Sequence, residues 1–142
     1  MSMFTGFRIL GSGMSAQRTR MNVTSSNLAN ANTTRTEDGG AYRRRDPVFK
    51  AIGLEDVNAS EPISAAMQEV SVSEIAKDNS PQPIVYDPGH PDADDKGYVT
   101  MPNVNVVEEM VHMTTSARSF EANATAFQTL KQMMHRAIDM GK

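Results

Sequence analysis

The chain has 142 residues, no Cys, no Trp and a formal net charge of -3, one domain's worth of sequence in which disulfides and thiolate metal sites are excluded. Aromatics make up 6% of the residues and Met, at 11, is unusually frequent, so its apolar surface is adaptable rather than rigidly shaped. Residues 1–35 hold Arg8, Arg18, Arg20 and Arg35 and no acid, whereas residues 36–101 carry 13 acids against 6 bases. Four scattered Arg argue against a nucleic-acid groove, which needs a dense basic patch with interleaved aromatics, while basic and acidic segments can attract each other between subunits.

Met1 to Leu10 is interrupted by Arg8 and is followed by no leader-type cleavage site. No downstream stretch is long enough to span a bilayer, so the default expectation is a cytoplasmic chain. The first predicted element is a helix over 4–31, about 42 Å long at the helical rise. Within it Phe7, Met14, Met21 and Leu28 recur every seventh residue, the pattern of a seam between long helices. Leu10 opens a second line that Gln17 and Thr24 dilute. Gly11 and Gly13 each cost about 1 kcal/mol in an exposed helix interior. That cost makes sense if Gly11, Ser12, Gly13, Ser15 and Ala16 let a neighbouring backbone approach closely. The helix is expected to end in Asn27-Leu28-Ala29-Asn30-Ala31-Asn32, where Asn tolerates the left-handed conformation and its amide satisfies free carbonyls.

From Glu37 to Met101 the period disappears. Asp38-Gly39-Gly40 reads as a turn into an extended segment through Tyr42, Val48, Phe49 and Ile52. Short strands are predicted at Val70-Ser71-Val72, Ile84-Val85-Tyr86 and Tyr98-Val99, the last two separated by a Pro- and Asp-rich loop. All seven Pro lie between Pro47 and Pro102, so this is a small, loop-rich β insert in which residues 53–69 are expected to be mobile.

The last element is a helix of about 36 residues, roughly 54 Å. Asn105 and Glu108 have capping-box spacing at its start, and Glu108 and Glu109 suit its positive end. Lys131, His135 and Arg136 suit its negative end. Val106, Met113, Phe120, Phe127 and Met134 form its seam, flanked by Met110, Ala117, Ala124 and Ile138. The fold class is therefore α+β: two long antiparallel terminal helices forming a coiled-coil core domain, with the β insert at one end. The divisions are 1–35, 36–102 and 103–142. Two helices without a third leave Met21, Phe120, Phe127 and Met134 partly uncovered, and such patches mark an interface.

No constellation for catalysis emerges. The stretch Asp87 to Gly97 around His90 places Lys96 where a calcium loop needs an oxygen ligand, so it reads as a turn. His112 and His135 are too far apart on one helix to share a ligand. The adjacent Glu108 and Glu109 diverge on a helix and make no acid/base pair. Gly11-Ser12-Gly13 lacks the strand and the Lys of a phosphate loop. No cofactor or metal is implied. Two functions fit these residues: an assembling structural subunit, or a soluble coiled-coil adaptor whose acidic insert recognises a basic partner.

Ser25-Ser26-Asn27-Leu28-Ala29-Asn30-Ala31-Asn32-Thr33, after Met21-Asn22-Val23, resembles the N-terminal signature of the flagellar axial superfamily of rod and hook proteins. Val85-Tyr86-Asp87-Pro88-Gly89-His90-Pro91, Ala93-Asp94, Gly97-Tyr98-Val99 and Met101-Pro102-Asn103-Val104 narrow the resemblance to its proximal-rod members. Asn105 to Val111 is similar to distal-rod relatives as well, but those are considerably longer. Residues 36–83 match only loosely.

The resemblance implies a structural, non-enzymatic subunit of the torque-transmitting rod, with the terminal helices in a tubular inner core and the insert outside. It also implies export through the flagellar type III apparatus without a cleaved signal peptide, to the basal body in the periplasmic space. The implied partners are copies of the chain, other rod proteins, and rod-base, export-apparatus and MS-ring components. Neither nucleic acid nor membrane insertion is implied. Assembly contacts are expected at Phe7, Leu10, Met14, Met21, Asn27, Leu28, Asn30, Val106, Met110, Met113, Phe120, Ala124, Phe127 and Met134.

Overall fold

A computed structural model of the chain describes residues 3–37, 39–53 and 67–141. Helix α1 spans Met3–Ala29 and α2 spans Val106–Met140. Between them lie two separate two-stranded antiparallel ribbons. The first pairs β1, Arg45–Gly53, with β2, Gln68–Lys77; the second pairs β3, Ile84–Tyr86, with β4, Tyr98–Thr100. No helix among the described residues is long and apolar enough to cross a membrane.

The two helices lie side by side and antiparallel, because contacts that climb one descend the other. A Cβ on Gly6 would meet Leu130 at 3.0 Å and one on Gly13 would meet Asn123 at 3.1 Å. The rings of Phe7 and Phe127 meet edge to face with centroids 4.8 Å apart, and Asn27 bonds Glu109. Close approach is thus real but falls at Gly6 and Gly13, whereas nothing stands within 4 Å of a Cβ on Gly11.

Helix α1 ends differently from expectation. No described non-glycine residue adopts positive φ; instead the chain leaves the helix through tight turns, with Ala31 N donating to Leu28 O at 3.2 Å and Thr33 N to Asn30 O at 3.1 Å. Asn30 does satisfy a carbonyl, its amide donating to Ser26 O at 2.9 Å. At the other helix Asn105 is extended, and its Oδ1 accepts from Val107 N at 3.0 Å and Glu108 N at 3.5 Å. This satisfies two of the amides that have no partner in a first turn. The last turn of α2 carries no basic residue; Lys131, His135 and Arg136 lie too far back to face its final carbonyls.

The insert does not sit at one end of the helix pair. The β1–β2 ribbon runs back along α1, whose polar side offers it partners. Arg45 lies against Asn27, Arg20 stacks 4.4 Å over the Phe49 ring, Ser12 Oγ accepts from Val70 N at 3.1 Å, and Arg8 pairs with Glu69 at 3.5 Å. Strand β2 is longer than the Val70–Val72 core predicted, because pairing extends along the whole of β1 through a register shift at Val48/Phe49. Gly53, Gln68 and Glu69 belong to strands, and the rest of the segment expected to be mobile falls mostly on 54–66, outside the described residues.

Glycines with positive φ at 39 and 40 make the turn into β1, where Gly39 N donates to Thr36 O at 3.0 Å. In the β3–β4 loop the Asp residues serve the backbone, as Asp side chains do in turns. Asp94 Oδ1 accepts from Lys96 N and Tyr98 N at 2.9 and 2.8 Å. Asp92 ties the loop to the end of α1 by accepting from Thr34 Oγ1 at 2.7 Å and pairing with Arg35 at 3.6 Å.

Candidate functional site

Among the described residues the buried apolar side chains are few and mostly small: Ala16, Val23, Ala31, Tyr42 and Val99, with Pro47 and Pro102. The largest fully buried side chains are Glu109, Val99, Asn27 and Ser116, three of them polar. Buried polar groups must be hydrogen-bonded to be tolerated, and at Asn27 the requirement is met completely. Its Nδ2 donates to Arg45 O at 2.8 Å and to Glu109 Oε2 at 2.9 Å. Its Oδ1 accepts from Tyr42 Oη and from Arg45 N, each at 3.0 Å. Two donors and two acceptor positions exhaust an amide, so one side chain joins α1, β1 and α2.

Glu109, 1% exposed, is neutralised from the other side by Arg44, whose Nε donates to Oε1 at 2.7 Å. Burial alone would push the Arg44 guanidinium down, but the bond to Glu109 and its charge, with those of Asp46, raise it above its ordinary value. Arg44 N donates to Asn103 Oδ1 at 2.8 Å, and Asn103 Nδ2 donates to Asp78 O at 3.2 Å. The end of β2 and the segment before α2 therefore join the same network.

Along α2, Glu109, Met113, Ser116, Phe120, Asn123, Phe127, Leu130 and Met134 are buried or half-buried, and of these Glu109, Asn123, Phe127 and Leu130 stand directly against α1. Met113, Phe120, Phe127 and Met134 belong to the predicted seam, whose first member, Val106, is exposed. Of the predicted flanking line, Met110 and Ile138 are exposed and Ala117 and Ala124 half-buried, and a line that the sequence reading did not name runs through Glu109, Ser116, Asn123 and Leu130. These lie opposite Asn27, Arg20, Gly13 and Gly6, which also recur every seventh residue. A hydropathy reading misses this line because three of its four members are polar. The signal was present in the spacing of four then three residues from Glu109 through Met113 to Ser116.

Of the residues expected at assembly contacts, Asn27 is enclosed within the subunit, and Phe7 and Phe127 touch each other there. Met14, Met21, Leu28, Asn30 and Ala124 are half-buried. Val106 and Met110 are exposed, at 45% and 58%. Beside them Val107 and Val111 are exposed as well, and toward the other end of the pair so are Phe4, Met133, Ile138 and Met140. Leu10 lines an open apolar groove of about 740 Å³ together with Gly6, Ile9, Ala122, Ala126, Leu130 and Met133. The ribbons expose large apolar side chains too, Ile84 and Tyr86 at 67% and 63% among them, so the helix pair carries a share of the exposed apolar surface rather than all of it. Among the described residues no group of three metal-ligating side chains gathers.

Comparison with known proteins places the similarity on this framework. Residues 7–35 match the family described as flagella basal body rod protein, and residues 95–140 match the C-terminal family of flagellar basal body rod FlgEFG proteins. Across the full length the chain is 42% identical to the flagellar basal-body rod protein FlgC of Escherichia coli O6:H1, covering all of both chains. It is 41% identical to FlgC of Borreliella burgdorferi, covering 97% of each, and 39% identical to FlgC of Bacillus subtilis, covering all of both.

Proposed function

The chain belongs to the FlgC family of flagellar basal-body rod proteins, and from that premise we propose that it polymerises through its terminal helices in the proximal rod and transmits torque. As a member of this family it is a structural rod subunit, not an enzyme. The observation that carries the assembly reading is the exposed apolar surface of the helix pair: Phe4, Val107, Met110, Val111, Met133 and Ile138 are all more than half exposed. Apolar surface of this extent is costly in water and marks a surface that partners cover.

In this reading residues 1–35 and 103–142 form the inner layer of the tube, packed in a coiled-coil manner against neighbours, and residues 36–102 lie outside it. Neighbours are copies of the chain and other rod subunits, with rod-base, export-apparatus and MS-ring components below. The thin apolar core supports export as an unfolded chain without a cleaved signal peptide, because ordering entropy is offset fully only when assembly adds burial. The working location is the periplasmic space within the basal body.

Substitutions at exposed residues separate assembly from folding. Met110→Asp and Val111→Asp leave the helix content of the purified full-length chain unchanged and abolish swimming when they replace the wild-type gene. Swimming cells carrying both substitutions would refute assembly through this face.

A further inference from the structure

The facing lines of α1 and α2 make four rungs at seven-residue spacing, and three of them are closed by direct contact. Leu130 lies against Gly6, Asn123 against Gly13, and Glu109 bonds Asn27. The remaining rung, Arg20 opposite Ser116, is open. A cavity of about 230 Å³ lies there, lined by Arg20, Ser116, Thr115, His112 and Asp46. Ser116 is 1% exposed, yet its hydroxyl has no hydrogen-bond partner, an unusual state for a buried polar atom.

The donors at this cavity outnumber what the chain itself uses. The Arg20 guanidinium carbon lies 4.4 Å from the centre of the Phe49 ring, and Arg20 forms no ion pair among the described residues, so its charge is matched by no described acid of its own subunit. Ser116 and Thr115 add two hydroxyls, and His112 adds its Nε2, since its Nδ1 lies 3.4 Å from Arg44 Nη2. Asp46, the one acid in the lining, is engaged by Arg44 Nη1 at 3.4 Å. A guanidinium with hydroxyls beside it matches a carboxylate, which accepts bonds at both oxygens.

We propose that this rung is a receptor pocket for a carboxylate side chain from the acidic insert of a second copy of this chain. The inference rests on the rod-subunit reading and adds a specific contact to it. The charge distribution supports the choice of occupant: residues 36–101 carry 13 acids against 6 bases, and among them Glu74, Asp87, Asp94 and Asp95 are exposed. Val111, exposed at 58%, precedes the lining residue His112 and stands one helical turn before Thr115, so a copy covering Val111 would come close to the pocket. Ser116 then keeps an unsatisfied hydroxyl in the isolated subunit because its partner arrives only with assembly.

The test replaces the chromosomal gene with full-length Arg20→Glu, Arg20→Gln and Ser116→Ala variants, and with Arg18→Glu as a control at an exposed position. The expected result is loss of swimming for Arg20→Glu, reduced swimming for Arg20→Gln, and normal swimming for Arg18→Glu. Ser116→Ala removes a buried unpaired hydroxyl, so the purified chain should melt at a higher temperature while swimming falls. A role confined to packing predicts the higher melting temperature with swimming intact. Swimming revertants of Arg20→Glu should carry an acidic-to-basic substitution within residues 36–101 of the same chain. The proposal is overturned if Arg20→Glu cells swim, if Ser116→Ala leaves swimming intact, or if the revertants lie in another subunit or change no acidic residue. Swimming Arg20→Glu cells alongside non-swimming Met110→Asp cells would discard the pocket and keep the rod reading.

Discussion

Asn27 Nδ2 donates to Glu109 Oε2 at 2.9 Å across 82 residues of sequence, and both side chains are buried. The contact fixes the end of α1 to the first turns of α2, and Asn27 simultaneously holds the backbone of Arg45 at the start of β1. One polar cluster therefore ties the terminal helices to each other and to the start of the insert.

Asn27→Asp keeps the shape and removes both donors, leaving a carboxylate facing Glu109 and a backbone carbonyl. Breaking a buried charged network in this way costs about 3–5 kcal/mol, and Glu109→Gln, which leaves Arg44 with only the more exposed Asp46 and Asp78 as counter-charges, should cost less but still more than about 1 kcal/mol. Urea unfolding of the purified chain, followed by circular dichroism, measures both. A loss below about 1 kcal/mol, the scale of a single exposed hydrogen bond, would show that the network does not anchor the fold.

The glycines of α1 separate helix propensity from packing. Gly11→Ala meets nothing within 4 Å and should stabilise the isolated chain by about 1 kcal/mol. Gly13→Ala places a Cβ 3.1 Å from Asn123, so that side chain must shift and the gain should shrink or reverse. Paired thermal melts decide the matter, and equal stabilisation at both positions would remove the case for close helix approach at Gly13.

Gly97 has φ +80°, and a Cβ there would lie 3.0 Å from Tyr86 and 3.1 Å from Pro88. Gly97→Ala should therefore destabilise the β3–β4 ribbon by more than about 1 kcal/mol, since both backbone and space oppose it. Loss of protection from amide exchange, concentrated at Tyr86 and Tyr98, is the expected signature.

Asp78 has its carboxyl held below the usual range by hydrogen bonds from the Ser80 hydroxyl and backbone, with Arg44 adding its charge. A lowered native pKa means that the unfolded chain takes up protons first on acidification. The stabilisation is thus present above the ordinary carboxylate pKa and lost as pH falls through the native one. Ser80→Ala should lower the urea midpoint at neutral pH and converge with wild type in strong acid. A difference independent of pH would mean that the hydroxyl does not act through the Asp78 charge.

Much of this architecture was legible locally. The Met and Phe line of α2, the Asn105 cap and the extended segments at Val48–Phe49, Ile84–Tyr86 and Tyr98–Val99 are readable because each depends on near neighbours in the chain. Glu109 and Arg44 were not readable as a site. A Glu beside Glu108 at a helix start suits the dipole whether or not it is buried, and no local pattern reveals that Arg44 folds back onto it. The course of β1–β2 along α1 was hidden for the same reason, since it is set by scattered contacts such as Arg20 with Phe49 and Ser12 with Val70. Asn27 looked like a helix terminator because Asn is common there, yet its amide binds three segments.

A density map of the intact basal body, resolved well enough to trace this chain, gives the decisive measurement. Assembly through the terminal helices requires Met110, Val111, Met133 and Ile138 to be covered by neighbouring subunits on the inner layer of the rod, with β1–β2 and β3–β4 facing outward. Those four side chains facing solvent, with the ribbons lining the channel, would contradict it.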